Sequence, residues 1–291
     1  MSKVAILGSS GMIGSHLKKL LLYKNIDFID INRDMWDLSQ WKSDEELDIL
    51  FKNTEAIFNF AGALPTSNNI DENQLIFDVN VRSCFNLAQW ATKRNISIIY
   101  LSGSTVYENP NKKGILENEK KVVYGLGEFY GYSKLLAENI FQHFIAQGLL
   151  MIIMRPSSVY GTGLGETKLI NIFLKKATND EIINISEANN KINFIHAMDV
   201  AYASLEAYKK KSYGIFNISG KEMISIEELA NICIEVAESG KIEKIEYAKN
   251  PFERFNLNCI NAEKEFNFKP KINMFDGVSA MNNKVYLENM F

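Results

Sequence analysis

Short apolar runs alternate along the first 160 residues with stretches whose apolar positions have helical spacing. The apolar runs are continuous and rich in branched side chains, as in strands that are buried on both faces of a sheet. This alternation predicts an α/β fold built on a doubly wound parallel sheet. The predicted strands lie over 4–7, 26–31, 56–60, 96–101 and 149–154, and the predicted helices over 15–23, 76–94 and 128–148.

After residue 160 the alternation becomes less regular, and shorter helices and strands follow each other with longer loops. A chain of 291 residues is long enough for two unequal domains. We expect a larger domain of residues 1–160 plus about 191–217. A smaller C-terminal α/β domain is expected over 161–190 and 218–291.

Two helices are predicted near the C-terminus. Ser225 is a good helix N-cap, and Glu228 three residues later completes a capping box for a helix that ends at about Ser239. The last predicted helix begins at about Asp276 and ends with Phe291.

Three glycines follow the first strand at positions i, i+3 and i+6, directly before the first helix. A strand that turns through glycines into a helix presents free backbone N–H groups and the positive end of a helix dipole. This arrangement predicts a dinucleotide site of a Rossmann-type fold, and the alternative is a glycine-rich turn without a ligand. The residues of the predicted pyrophosphate site are Gly8, Ser10, Gly11, Met12, Ile13 and Gly14.

The end of the second strand bears on the choice of cofactor. In dinucleotide folds an acid about 20 residues past the glycine turn binds the adenosine ribose. Asn32 occupies that place here, and Arg33 beside it is able to pair with a 2′-phosphate, which favours NADP over NAD. Asp30 is an alternative hydroxyl acceptor, and Arg33 is otherwise a solvated loop charge. Asp37 and Leu38 are expected beside the adenine.

Small or hydroxyl-bearing residues follow two further strands at the edge where α/β sheets bind ligands. Phe60, Ala61 and Gly62 end the third strand, where small side chains allow a ligand to approach the backbone. We also expect Asn80, in the following helix, to contact the loop before the 128–148 helix.

The fourth strand ends in hydroxyl-bearing residues, Ser102, Ser104 and Thr105. Three hydroxyls on the ligand side of a sheet indicate a functional site. A Ser/Thr-rich turn is the alternative interpretation.

Tyr130 and Lys134 lie at positions i and i+4 of the 128–148 helix and therefore share a face. An adjacent ammonium is expected to lower the pKa of the phenol, so that it exchanges a proton with a sugar hydroxyl or carbonyl. A helical Tyr/Lys pair without chemistry is the alternative. Tyr132 is a rival tyrosine, but its spacing from Lys134 places it on another face.

Composition excludes several classes of protein. A hydrophobic content of 46% and a net charge of −3 are ordinary for a globular protein and do not indicate a nucleic-acid partner. The 3 cysteines are far apart, and no Cys/His cluster indicates a metal site. No apolar run is long enough to span a membrane, and no signal peptide is recognised, so we expect a cytoplasmic protein.

The predicted 128–148 helix is apolar nearly all round. One face covers the sheet, and the other needs a second cover because an exposed apolar stripe is costly. We therefore expect a homodimer that packs through the 76–94 and 128–148 helices.

Together, the three glycines, the hydroxyl-rich strand end and the Tyr130-x-x-x-Lys134 spacing resemble the extended short-chain dehydrogenase/reductases, and in particular their nucleotide-sugar epimerase/dehydratase branch. The resemblance covers essentially the whole chain and implies that Tyr130 is the acid/base and that Lys134 also holds the nicotinamide ribose. It further implies a nucleotide-sugar substrate in the smaller domain. By resemblance, the additional cofactor contacts are Asn80 and Ser157, and the substrate contacts are Ala63, Thr105, Ser158 and Arg254.

Three departures from the family pattern reduce the number of activities that the resemblance allows. Gly103 stands where the catalytic Ser/Thr is usual, so Ser104, or else Ser102, takes that role. The Asp-Glu pair of dehydratases is absent, and Ser104 and Thr105 stand in its place. The cysteine of dual epimerase-reductases is also absent, and Thr105 occupies its position. Ile192 replaces an arginine that the family uses for phosphate.

The expected activity is hydride transfer at sugar C4 with a tyrosine acid/base, in an epimerase or a 4-ketoreductase that uses NADP or NAD. A 4,6-dehydratase is disfavoured because it would lack its carboxylates. A non-catalytic NAD(P)-binding regulator is the alternative from another class, and a reductase of a small carbonyl compound is a further one. His196 is expected to be a structural histidine that bonds a loop.

Overall fold

The computed structural model describes residues 3–65 and 70–291. The strands are β1 (Lys3–Leu7), β2 (Phe28–Ile31), β3 (Thr54–Asn59), β4 (Ser97–Leu101), β5 (Met151–Pro156), β6 (Ser158–Tyr160), β7 (Ile182–Ile185), β8 (Lys191–His196), β9 (Gly214–Ile218), β10 (Met223–Ser225), β11 (Lys241–Ile245) and β12 (Glu253–Arg254). The α-helices are α1 (Met12–Tyr23), α2 (Asp44–Leu50), α3 (Glu72–Phe77), α4 (Ser83–Arg94), α5 (Glu128–Ile145), α6 (Leu169–Thr178), α7 (Ala197–Lys209), α8 (Ile226–Ala237), α9 (Ile260–Phe266) and α10 (Met274–Asn282).

The larger sheet has the spatial order β2-β1-β3-β4-β5-β9, and all of its neighbouring strands are parallel. This confirms the predicted α/β fold with a Rossmann-type doubly wound parallel sheet. The strand order reverses between β1 and β3, which is where open α/β sheets bind ligands, outside the carboxyl ends of the strands.

The continuous apolar runs of the sequence are explained by burial on both faces of this sheet. Val4 and Ile6 of β1 pack into a core with residues of α1 and α7. Ala5 and Leu7, which alternate with them, pack on the opposite face with residues of α4 and α5. Each large apolar side chain that is fully buried in this way contributes about 1.5–3 kcal/mol, so both helical layers are needed to stabilise the sheet.

A smaller mixed sheet contains β10, β8 and β12 in this order, and β6 also pairs with β8, at residues 194–196. Its core includes residues of α6, α8 and α10. The predicted range 191–217 is therefore divided between two sheets. Strand β8 lies in the smaller sheet, whereas β9 lies at the edge of the larger one.

The helix predicted over 76–94 begins earlier and is interrupted. It runs through α3, a π-turn over Asp78–Arg82 and α4. The widened turn contains Asn80, whose side chain is buried. A π-turn of this kind is frequent at functional sites.

The helices near the C-terminus differ in how well they follow the prediction. The capping box is present, since the Ser225 hydroxyl accepts from the Glu228 N–H at 3.1 Å and the Glu228 carboxylate accepts from the Ser225 N–H at 2.7 Å. The prediction of a last helix that ends with Phe291 is wrong, because α10 ends at Asn282 and Lys284 has a left-handed φ of 54°. Within the described residues, no helix has both the length and the apolar character needed to cross a bilayer.

Candidate active site

The glycine turn between β1 and α1 is packed so tightly that side chains would not fit. Gly8 has a φ of +84°, and a Cβ there would lie 2.6 Å from the backbone nitrogen of Ala61. A Cβ on Gly14 would lie 2.1 Å from the carbonyl oxygen of Gly8. Gly11 precedes the first turn of α1 and offers no side-chain cap. Backbone N–H groups at this helix start are therefore directed at the place of a ligand, which fits a pyrophosphate.

A cavity of about 410 Å³ opens above this turn, at the carboxyl ends of β1, β2 and β3. It brings together most of the residues predicted to hold the cofactor. Met12, Ile13 and Gly14 follow the turn as the first residues of α1. The predicted residues that line the cavity are Gly8, Ser10, Gly11, Asn32, Arg33, Asp37, Leu38, Phe60, Ala61 and Gly62, and the sequence analysis missed Ser9, Lys18, Ile31, Trp36 and Val79.

The polar groups at the end of β2 already have partners. Asp30 accepts hydrogen bonds from the Ser9 hydroxyl and, at 2.7 Å, from the Lys18 ammonium. Burial alone would raise the pKa of the Asp30 carboxyl, but the bonds from Lys18 and Ser9 hold this pKa below its ordinary value. The Asn32 amide oxygen accepts from the Met35 N–H at 3.0 Å and so stabilises the following turn.

Tyr130 and Lys134 lie in the first turns of α5, on one face of the helix. The Lys134 ammonium donates to the Leu101 carbonyl at 3.0 Å, and it lies 5.7 Å from the centre of the Tyr130 ring. Lys134 is only 4% exposed. This position places a buried ammonium between the end of β4 and the phenol.

The predicted lowering of the Tyr130 pKa by Lys134 is not found. Burial raises the pKa of Tyr130 to about 12. Burial likewise lowers the pKa of Lys134 to about 8, against the opposing effect of Cys84 and Glu138. The charge of the ammonium favours the phenolate, but removal of both groups from water is the larger effect here.

Gly62 connects the cofactor cavity to this pair. It lines the cavity above the glycine turn, and a Cβ on it would lie 3.4 Å from the Lys134 ammonium. Tyr130 itself lines a neighbouring cavity of about 450 Å³, together with Tyr132. Lys134 therefore lies at the junction between the two cavities.

The side chain of Asn80 makes hydrogen bonds next to this junction. Its amide accepts from the Ala63 N–H at 2.8 Å and donates to the Ala63 carbonyl and the Ser133 hydroxyl, both at 3.0 Å. Asn80 thus joins the loop after β3 to α5 itself, and not to the loop before α5 as the sequence analysis expected.

The three hydroxyl groups after β4 have different surroundings. Ser102 donates to the Glu138 carboxylate at 2.5 Å. Within the described residues, the side chain of Ser104 makes no hydrogen bond, and the buried Thr105 hydroxyl also lacks a partner. Thr105 faces the start of α5, because a Cβ on Gly131 would lie 3.5 Å from its Cβ.

A buried ion pair that the sequence analysis missed lies beneath these hydroxyls. Arg155 of β5 is 1% exposed and donates to the Glu138 carboxylate of α5 at 2.9 and 2.5 Å. It also donates to the Glu117 carbonyl at 2.8 Å and to the Tyr107 hydroxyl at 3.0 Å. The Tyr107 hydroxyl in turn donates to Asn217 of β9 at 2.6 Å. One available signal was that Glu138 follows Lys134 by four residues, in the most apolar part of the helix.

Of the residues predicted to contact substrate, Arg254 lies in the smaller sheet. Its guanidinium carbon is 4.2 Å from the centre of the Phe252 ring, and burial lowers its pKa. Its Nε atom is buried and has no partner among the described residues. The strand register places Arg254 beside Ile192, the position at which the sequence lacks the arginine expected from the resemblance.

The serines after β5 separate in the structure. Ser157 is buried, and its hydroxyl donates to Asn193 of β8 at 2.7 Å, so it connects the two sheets. Ser158, the first residue of β6, remains half-buried. Ala63, the other predicted substrate contact, is bonded to Asn80 as described above.

His196 has the structural role expected for it. Its Nδ1 atom accepts from the Met198 N–H at 3.1 Å and caps α7. Burial, with a further contribution from His16, lowers the pKa of His196 to about 3, so the ring is neutral.

Known proteins share the overall fold of this chain. A Methanocaldococcus jannaschii protein, provisionally named a UDP-glucose 4-epimerase, is 28% identical over 96% of this chain and 97% of its own length. The UDP-N-acetylglucosamine 4-epimerase of Bacillus cereus superposes with a TM-score of 0.81 at 21% identity, covering 97% of this chain and 96% of that one. RMD of Pseudomonas aeruginosa, solved with NADPH, gives a TM-score of 0.79 at 19% identity, covering 98% of each chain.

Residues 4–219 match the sequence profile of the NAD dependent epimerase/dehydratase family. This range includes the glycine turn, the cofactor cavity, Tyr130 and Lys134. It also confirms the resemblance to the nucleotide-sugar branch of the extended short-chain dehydrogenase/reductases. The protein is therefore an enzyme that belongs to the NAD dependent epimerase/dehydratase family.

Proposed function

We propose that this protein is a nucleotide-sugar 4-epimerase that uses NAD or NADP and carries out acid/base chemistry with Tyr130. The observation that carries the proposal is the position of Gly62, which lines the dinucleotide cavity and on which a Cβ would lie 3.4 Å from the Lys134 ammonium. When bound, the nicotinamide would accept a hydride from sugar C4 and return it. The protein supplies the proton transfer and holds the sugar.

Tyr130 takes the proton from the C4 hydroxyl and gives it back. Its pKa of about 12 makes the isolated phenol a weak base at neutral pH. Lys134 has a pKa of about 8, so its ammonium is charged at pH 7 and stabilises the phenolate as the proton leaves. One of its three donors is used by Leu101, which leaves others for the ribose hydroxyls that the resemblance assigns to it.

Ser104 is the better candidate for the hydroxyl that binds the reacting sugar oxygen. The Ser102 hydroxyl is engaged by Glu138, which is itself paired with Arg155. The unengaged Ser104 hydroxyl is free to donate to an oxygen on which charge develops. Thr105, with its unpartnered buried hydroxyl, is proposed as a contact to the sugar ring.

The smaller sheet is proposed to bind the nucleotide part of the substrate. Arg254 offers a buried Nε without a partner, beside Ile192. A guanidinium in this position is able to bind a diphosphate and to replace the arginine that the family pattern places at 192. Ser158 and Ala63 are proposed as sugar contacts.

The second candidate is a 4-ketoreductase that uses NADPH. It is favoured by Asn32 and Arg33, which line the cofactor cavity at the end of β2. The 4,6-dehydratase remains disfavoured, because Ser104 and Thr105 stand where its carboxylates are required.

The test is to incubate the purified protein with UDP-glucose or UDP-N-acetylglucosamine and trace NAD, and to separate the C4 epimers by chromatography. A 4-epimerase forms the galacto epimer without net change in absorbance at 340 nm. Oxidation of NADPH only in the presence of a 4-keto sugar nucleotide supports the reductase. If neither reaction occurs while cofactor still binds, the non-catalytic regulator becomes the better explanation.

We also propose that the protein is a homodimer that packs through the 76–94 and 128–148 segments. Large apolar side chains remain exposed in the 76–94 segment, including Phe77 at 39% and Phe85 at 40%. Light scattering at micromolar concentration tests this, since a monomer alone contradicts it.

A further inference from the structure

The ribose end of the cofactor cavity contains an ion pair that is not part of the glycine motif. Lys18, in the second turn of α1, places its ammonium 2.7 Å from the Asp30 carboxylate, and both residues line the cavity. Their side chains are 42% and 32% exposed, respectively. The second oxygen of Asp30 accepts from the Ser9 hydroxyl, so the carboxylate is held in place from two sides.

This arrangement matters because NAD and NADP differ only at the adenosine 2′-position. A free carboxylate at the end of β2 accepts a bond from a 2′-hydroxyl and repels a 2′-phosphate. Here the charge of Asp30 is compensated by Lys18. The following turn adds Arg33 to the cavity lining, while Asn32 is already engaged by Met35.

We propose that Lys18 is the residue that allows this site to bind NADP, because its ammonium stays beside Asp30 and also donates to the 2′-phosphate. The inference rests on the dinucleotide site of the proposed function. The Lys18 side chain is 42% exposed, and its ammonium has three donors, so it can donate to a phosphate without breaking its pair with Asp30. Ser9 holds the other oxygen of Asp30, so the carboxylate stays in place when the phosphate binds.

With NAD, the pair between Lys18 and Asp30 stays closed, and the outer lone pairs of Asp30 accept the ribose hydroxyl. The same two residues therefore accommodate both cofactors, with NADP bound more tightly. Removal of either residue must then change the two affinities differently, which distinguishes this proposal from general damage to the pocket.

The experiment is isothermal titration of cofactor-stripped protein with NADP and with NAD. Lys18→Gln should weaken NADP binding about ten-fold and change NAD binding less than about two-fold, as expected for a charge-assisted bond at a partly exposed site. Asp30→Asn should weaken NAD binding and leave NADP binding equal or tighter. Lys19→Gln is the matched control, since it removes the same charge from an exposed position on the same helix that does not line the cavity.

Two results would overturn the proposal while leaving the dinucleotide site intact. In the first, Lys18→Gln weakens both cofactors equally. In the second, it weakens neither, although the wild-type protein binds NADP. If the wild-type protein binds neither NADP nor NAD, the proposed function itself fails. In the wild-type protein, NADP affinity should fall as the salt concentration rises. Absence of this salt dependence in Lys18→Gln supports the ion pair with the phosphate.

Discussion

Two regions at the carboxyl ends of the larger sheet form the candidate site, and they are built in different ways. The glycine edge, defined here as the ends of β1, β2 and β3 with the turn at residues 8–14, is made mainly of backbone. The tyrosine edge, defined as the ends of β4 and β5 with α5, is made of side chains from several elements. A cradle made of backbone needs only a local sequence, whereas a side-chain network needs distant residues to meet.

The contrast also appears in the electrostatics. The glycine edge offers N–H groups and one compensated carboxylate, Asp30, at a partly exposed cavity. The tyrosine edge buries Lys134, Glu138 and Arg155 almost completely. Burial therefore dominates the pKa values at the tyrosine edge, and changes there are expected to have larger effects than changes at the glycine edge.

The largest effect is expected for Tyr130→Phe. Loss of the proton-transferring hydroxyl should lower turnover by about 10²–10⁴-fold, the usual contribution of general acid/base catalysis. Cofactor affinity, measured by titration, should remain, since Tyr130 does not line the glycine-edge cavity. Tyr132→Phe on the same helix is the control. Unchanged turnover in Tyr130→Phe would contradict the proposed role of the phenol.

The next effect concerns the buried ion pair of the tyrosine edge. Glu138→Gln leaves the Arg155 guanidinium buried without a carboxylate, which should lower the free energy of unfolding by about 3–5 kcal/mol. Denaturant unfolding measures this. The double variant with Arg155→Met should recover much of the loss. The matched control, Glu128→Gln, removes an exposed carboxylate from the same helix and should cost less than about 1 kcal/mol. Equal effects of the two Glu→Gln changes would remove the contrast between the edges.

A smaller effect on stability is expected at the glycine edge. Gly14→Ala places a Cβ 2.1 Å from the Gly8 carbonyl oxygen, so the backbone must shift. We expect a loss of about 1–3 kcal/mol in thermal or chemical unfolding, as for overpacking, together with loss of cofactor binding. Gly165→Ala is the control, because no atom lies within 4 Å of a Cβ at that position. Retained cofactor affinity in Gly14→Ala would contradict the close backbone cradle.

The smallest effect is a pH dependence. Lys134 has a pKa of about 8, below its ordinary value, so its ammonium loses its proton as the pH rises through 8. Because the ammonium stabilises the phenolate, turnover should fall above about pH 8. Lys134→Arg keeps its charge and should show lower turnover without this decline. If wild-type turnover is constant between about pH 7 and pH 9, Lys134 does not lose its proton in this range and the prediction is wrong.

Prediction from sequence succeeded where the relevant physics is local. Buried strands have continuous apolar runs, so β1 and β4 were found within one or two residues. The capping box at Ser225 depends on residues three positions apart. Tyr130 and Lys134 share a helix face because of their spacing alone, whatever the rest of the chain does.

Prediction failed where the outcome depends on contacts between distant parts of the chain. Nothing near Ser102 indicates that its hydroxyl meets Glu138, 36 residues later. The pKa of Tyr130 was expected to fall, but it rises because burial is a property of the whole fold. The last helix was extended to Phe291, although α10 ends at Asn282, because apolar spacing does not show where a helix loses its packing surface.

The sequence by itself therefore determined the alternation of strands and helices that predicts a parallel α/β fold, the glycine turn and the Tyr130–Lys134 pair, because each is a pattern of neighbouring residues. Only the tertiary structure decided that Lys18 meets Asp30, that Arg155 meets Glu138 and that β8 joins the smaller sheet. These contacts are set by how elements pack, and packing depends on the shape and burial of side chains that are far apart in the chain.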